Sequence, residues 1–215
     1  MPKNADKSVD KNGTVCYNSD KYKLKRGLNL KLMKMNGVKK TVLSALFLAL
    51  GMVLPLLTAQ IKEIGDTLLP MHIPVMLCGL LCGPLCGLGV GLLLPFMRSL
   101  VFSMPPMYPN AVWMSLELAT YGLVIGLLYI RSRKNSTLYL YFCLIVAMLS
   151  GRVVWGIAKS ILLGVGGKPF TFTAFITGGF VDAVPGIVLQ LVLIPLIMNV
   201  ILKVKQGYDR KRDAK

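Results

Sequence analysis

From Leu138 to Leu163 the chain reads LYLYFCLIVAMLSGRVVWGIAKSILL. An apolar run of about twenty residues or more is long enough to cross the hydrocarbon core of a bilayer as a helix. A barrel strand would alternate apolar and polar residues over about ten positions, and this stretch does not alternate. Two residues break its apolar character, Arg152 and Lys159. A charge at bilayer depth costs about 2.5–3.5 kcal/mol, so a helix retains one only where it faces protein or water and finds partners there.

The rest of the chain repeats the pattern. Of its 215 residues 54% are hydrophobic, against about 45–50% in soluble domains, and the apolar residues gather into runs. The reading is an all-α membrane protein with six transmembrane helices. The first span covers residues 41–60. The apolar region from Pro74 to Phe102 is too long for one span, and Gly83–Pro84 splits it into a short second helix ending near Cys82 and a third over 84–102. Proline cannot continue a helix without losing a backbone bond. Pro105, Pro106 and Pro109 make residues 103–109 a loop. The fourth span covers 110–130 and the fifth 138–163. The sixth covers 175–202, with Pro185 and Pro195 as kinks. Gly79, Gly83, Gly87 and Gly91 recur every fourth residue, a spacing that lets helices approach closely.

Charge is distributed unevenly over a formal net of +16. Residues 1–40 form a polar basic tail with a composition typical of disorder, residues 41–202 the six-helix domain, and residues 203–215 a second basic tail. The tail to residue 40 shows no short apolar core or small-residue cleavage site of a signal peptide. Met33 and Met35 are candidate starts of translation, since the lysines over 34–40 already flank the first span. Both tails and the 131–134 loop are basic, whereas the opposite loops carry Lys62 and Lys168 with Glu63 and Asp66. The positive-inside rule therefore puts both termini in the cytoplasm. Because the basic residues flank membrane segments, they read as topology signals and lipid contacts, with no nucleic-acid partner.

With this orientation, Glu117, Asp182 and Arg152 lie about eight, nine and eleven residues in from the outer ends of their spans, at roughly 1.5 Å per residue. Arg98 and Lys159 lie nearer the outer surface. Charges of both signs from four helices thus share the outward half, the pattern of a polar cavity open to the outside. Asn110, Trp113, Glu117 and Tyr121 follow i, i+3, i+7, i+11 along one stripe of the fourth helix. An amide, an indole, a carboxylate and a phenol in a row can hold a ring-bearing polar ligand by stacking and hydrogen bonds. Arg152, Trp155 and Lys159 form a matching stripe on the fifth helix. The bland alternatives are a closed ion pair of Glu117 with Arg152 or Arg98, a Lys159 that snorkels to the headgroups, and an Asp182 that pairs with Arg152 rather than binding a cation or a ligand amine.

Catalytic motifs are absent. There is no phosphate-binding loop, so the chain does not hydrolyse ATP itself, and no serine or cysteine sits beside a plausible base. Cys78, Cys82 and Cys86 are spaced as packing residues on one helix, and His72, the sole histidine, falls outside their spacing. Neither a metal nor a cofactor is expected.

Three stretches carry a resemblance. They are Ala45–Leu46–Phe47–Leu48–Ala49 on the first span, Leu69–Pro70–Met71–His72–Ile73–Pro74–Val75, and Met104–Pro105–Pro106–Met107–Tyr108–Pro109 followed by Glu117–Leu118–Ala119–Thr120–Tyr121–Gly122. Together with six short helices and cytoplasmic ends, they resemble the substrate-binding S components of energy-coupling-factor (ECF) vitamin transporters over residues 38–202. The resemblance implies a multi-pass protein of the bacterial cytoplasmic membrane that takes a micronutrient from outside. It also implies an outward cavity capped by the loop between the first two helices, to which His72 belongs. The expected partners are a membrane T component, docked on Ala45 and Ala49, and two cytoplasmic ATPase subunits. Pantothenate, a pyrimidine or folate-like ring, a corrinoid and a deazaguanine precursor of queuosine are all open as the substrate. The mixed charge suits a ligand with several hydrogen-bonding groups. The rival class is a free-standing ion-coupled carrier using Glu117 and Asp182, against which stand the short chain and the lack of an inverted repeat. A purely structural membrane protein would leave the buried charges without a purpose.

The orientation is testable by accessible-cysteine labelling of single-cysteine variants. Positions near Asn135 and Asp209 are expected to label from the cytoplasmic side and positions near Asp66 and Gly167 from outside. The reverse pattern would overturn it.

Overall fold

A computed structural model describes residues 7–9, 15–17, 36–58, 70–131, 137–165, 171–181 and 183–213. In it the apolar runs become helices: α1 (Gly37–Thr58), α2 (His72–Cys82), α3 (Pro84–Phe102), α4 (Val112–Arg131), α5 (Thr137–Val165), a short α6 (Phe172–Ile176) and α7 (Val184–Asp213). Five helices are long and apolar enough to cross a membrane, and α2 is a shorter apolar one. This is the all-α membrane architecture with six apolar helices. Outside the helices, Lys7–Val9 pairs antiparallel with Val15–Tyr17.

The bundle is built around α2. Its eleven residues, rising roughly 1.5 Å each, cannot cross a hydrocarbon core of about 30 Å. Every residue from His72 to Cys82 is buried. A helix apolar on all sides is stable only when enclosed, and α1, α3, α4 and α7 surround it. The break after it falls where the sequence places it. Gly83 has φ 106° and ψ 172°, a backbone region open to glycine, and Pro84 takes the first turn of α3, where its missing N–H costs little.

Backbone contact joins α2, α3 and α4. A Cβ added to Gly79 would lie 2.5 Å from the Gly122 carbonyl oxygen, and one added to Gly87 would lie 2.7 Å from the same atom. A Cβ on Gly91 would meet Ala119 N and Leu118 at 2.6 Å. Three of the four repeating glycines are thus packing positions and Gly83 is the hinge. Cys78 and Cys82 are buried, and the Cys78 thiol lies 3.6 Å from Ser44 Oγ. They serve as small residues between α1 and α2. Met76, Leu80, Leu94, Leu118, Leu144 and Ile194 fill the core around them.

By contrast α1 is peripheral. Phe47 and Gly51 face inward, while Val42, Ala45, Leu46, Ala49, Leu50 and Val53 are exposed along its outer face.

Two sequence expectations need correction. The loop at 103–109 gives way early to a π-turn over Met107–Ala111, closed by the Ala111 N–H on the Pro106 carbonyl at 3.0 Å. The prolines still prevent a regular helix, for Tyr108 is extended at φ −129°, ψ 134°. Pro185 does not kink a continuous helix of the sixth span, which runs over Thr177–Val204, but lies in the first turn of α7. The segment forms α6 and a π-turn (Thr177–Val181), and α7 then starts afresh at Val184. Proline is tolerated in a first helical turn and disfavoured further in. The apolar span ends at Val204, close to the residue 202 expected, and helix α7 itself continues to Asp213 because lysine, arginine and glutamine are good helix formers.

Gly122→Ala drives a methyl into the backbone of α3 and is expected to destabilise the bundle by about 1–3 kcal/mol, the usual cost of overpacking. Gly89→Ala, with nothing within 4 Å of its Cβ position, serves as the control and is expected to be neutral or slightly stabilising. Similar melting temperatures for the two variants would contradict this account of the α3–α4 contact.

Candidate functional site

Glu117 lies in the second turn of α4 and is 3% exposed. A carboxylate so placed needs partners, and they converge on one of its oxygens. Arg152 Nη1 of α5 lies 3.1 Å from Oε1. The Tyr121 hydroxyl, one turn on along α4, donates to Oε1 at 2.9 Å. His72 Nε2, at the first residue of α2, lies 3.6 Å from the same atom. His72, Tyr121 and Arg152 are themselves buried. The imidazole also sits edge-on to the Tyr121 ring, with centroids 5.1 Å apart and planes at 62°.

Local sequence makes this possible. The i, i+4 spacing of Glu117 and Tyr121 puts both on one face of α4. Gly151, just before Arg152, gives the Tyr121 ring its space: a Cβ there would lie 2.5 Å from Tyr121 Cε1. Of the two ion pairs open to Glu117 in the sequence, the structure forms the one with Arg152. Arg98, on α3, is half-buried and is not an ion-pair partner of Glu117.

A second layer lies over the first, toward the start of α4 and the end of α5. Trp113 precedes Glu117 by one turn, and Trp155 and Lys159 follow Arg152 by one and two turns. Lys159 Nζ sits 4.5 Å from the Trp155 ring centroid and 5.5 Å from that of Trp113. Arg152 Cζ lies 5.9 Å from the Trp155 ring. Phe175 of α6 stacks on Trp155, with centroids 6.2 Å apart and planes at 30°. Gly156 makes that stack possible, since a Cβ there would overlap the Phe175 ring. Trp113, Trp155 and Ala158 form an apolar cluster of their own, separate from the main core. Lys159 does not simply snorkel away from the bundle; two indoles from two helices hold it, at about 0.5–2 kcal/mol per cation–π contact.

The candidates therefore divide. His72, Glu117, Tyr121 and Arg152 form the buried layer, and Trp113, Trp155 and Lys159 the layer above. Asn110 sits on the π-turn and makes no side-chain hydrogen bond with either layer among the described residues. Asp182 lies outside the described residues. Phe175 carries no signal in the sequence, since as the first residue of the last apolar run it is placed at the outer end of that span rather than beside Trp155. The convergence of three groups on one Glu117 oxygen had no sequence signal, because His72 is 45 residues away along the chain. Ala45 and Ala49 are exposed on α1, away from both layers.

Comparison with known proteins bears on what such a bundle does. A sequence profile of the family described as ECF transporter, substrate-specific component, matches residues 39–201, most of the chain. No curated protein and no solved structure matches it.

Proposed function

This chain belongs to the substrate-specific components of ECF transporters, and we propose that it captures a micronutrient from outside the cell for ATP-driven import. The observation that supports this reading most is the two-layered cluster. An integral membrane protein of this family, with no catalytic motif, encloses a carboxylate, a guanidinium, an imidazole and a phenol at bilayer depth and covers them with two indoles and a lysine. Polar groups at that depth are expensive and mark ligand pathways in membrane proteins. Apolar and aromatic walls with a few placed polar groups are the usual make-up of small-molecule sites.

In this proposal Trp113 and Trp155 supply the stacking surfaces. Arg152, Glu117, Tyr121 and His72 form the polar floor. Arg98, Asn110 and Asp182 complete the outward rim, with both termini in the cytoplasm. Pantothenate, pyrimidine or folate-like, corrinoid and queuosine-precursor ligands are the candidate classes. Partnership with a T component and two cytoplasmic ATPases follows from the family. The exposed face of α1 around Ala45 and Ala49 is the proposed docking surface, because small side chains let a partner helix approach closely. A carrier working alone has less support, since the profile that matches is that of a component of a larger transporter.

Ala45→Leu and Ala49→Leu place bulk on that face without touching the cluster. They are expected to leave ligand binding by the isolated chain intact, while co-purification with the T component and ATPases, and uptake, are lost. Equal loss of binding and uptake would move these alanines into the bundle's own packing. Uptake by this chain alone under an ion gradient would favour the carrier.

A further inference from the structure

Within the buried layer one donor is left over. Arg152 is 5% exposed, and its Nη1 is held by Glu117 Oε1 at 3.1 Å. Its Nε is buried as well and has no hydrogen-bond partner among the described residues. The donors of a guanidinium are fixed in one plane, so Nε–H keeps its own direction while Nη1 stays at Glu117. A buried donor without an acceptor is destabilising, and the great majority of buried polar groups in folded proteins have a partner. What Nε lacks is an acceptor and not a counter-charge, because the guanidinium already forms its ion pair with Glu117.

The surroundings of this donor say what kind of acceptor fits. Arg152 Cζ lies 5.9 Å from the Trp155 ring centroid, so the guanidinium borders the aromatic layer. Phe175 stacks on Trp155. Gly178 and Gly179 of the π-turn bring bare backbone to the edge of the same indole, for a Cβ on either would stand 3.4 Å from it. Flat aromatic surfaces beside a wall without side chains suit a flat ring. An oxygen carried outside such a ring, on a bond of about 1.2 Å, reaches toward the guanidinium while the ring keeps to the aromatic layer.

Resting on the functional reading above, we propose that the site takes an uncharged, flat heterocycle with a ring carbonyl, whose oxygen accepts from Arg152 Nε. The ring lies among Trp113, Trp155 and Phe175. Of the candidate classes, the folate-like and queuosine-precursor rings bring such a carbonyl, whereas pantothenate has no ring. Arg152 then has two tasks in one plane. Its Nη1 braces α5 against α4 through Glu117, and its Nε reads the ligand, which makes it a specificity-determining residue. A lysine in its place keeps a cation for Glu117 but has no counterpart of Nε–H.

The test is calorimetric titration of the purified full-length chain in lipid nanodiscs, at a pH where every probe is neutral, with paired rings that differ in the carbonyl. The pairs are 7-deazahypoxanthine with 7-deazapurine, pterin with 2-aminopteridine, and 4-pyrimidinone with pyrimidine. At least one carbonyl-bearing ring is expected to bind about tenfold or more tightly than its partner, the ratio that one charge-assisted hydrogen bond supplies. In Arg152→Lys that preference is expected to vanish while the variant still melts cooperatively. Pairs that bind alike to the unsubstituted chain would overturn the carbonyl proposal and leave the binding site standing. That is also the result if a carboxylate of the chain itself meets Nε. A preference that survives in Arg152→Lys would overturn it too. Because the pairs are compared on the unsubstituted chain, the outcome is decided even where the variant does not fold. Binding of no ring, with or without the carbonyl, would count against the aromatic layer as a ligand site as well.

Discussion

A carboxylate enclosed at bilayer depth is tolerable only when its charge is met, and Glu117 is met at one oxygen by groups from three helices: His72 of α2, Tyr121 of its own α4 and Arg152 of α5. Losing one partner of such a pair strands the other charge and typically costs 3–5 kcal/mol. The requirement reaches outward through the architecture. Arg152 can approach only because Gly151 admits the Tyr121 ring. His72 is in range only because α2 is short and buried from its first residue. Helix α2 can be enclosed only because Gly79, Gly87 and Gly122 let three backbones touch.

The same pair divides the interior into two environments. On one side lies the main apolar core, from Phe47 to Met198. On the other lies the small cluster of Trp113, Trp155 and Ala158, with Lys159 laid over the indoles. In a transport component this division has a functional meaning. The first environment holds the bundle together, and the second, richer in aromatic surface and positive charge, is the proposed place of the ligand. The exposed face of α1 takes part in neither and is the proposed docking surface.

Much of this was legible in the sequence. Run length identified membrane helices, and Gly83–Pro84 located the break between α2 and α3 because no other pair of residues combines φ 106° with a proline start so readily. The stripes on α4 and α5 brought Glu117, Tyr121, Trp113, Arg152 and Trp155 together through helical periodicity. What sequence could not supply was rotation and pairing between helices. Glu117 had two candidate arginines, and only packing of α4 on α5 distinguishes Arg152 from Arg98. For Lys159 a headgroup contact stayed open beside its stripe with Trp155, because the second indole, Trp113, lies on α4. Pro185 signals a kink or a helix start equally well, and only the preceding π-turn decides for a start.

The most direct measurement is a double-mutant cycle between Glu117 and Arg152, read as the unfolding free energy of purified Glu117→Gln, Arg152→Gln and the double variant. If their ion pair braces α4 against α5, each single change costs several kcal/mol. The double variant is then more stable than the sum of the two predicts, by a coupling of about 1–3 kcal/mol. Strict additivity, with small single effects, would contradict the account, because Glu117 would then be held by Tyr121 and His72 and not by the charge on which the two-layered interior is built.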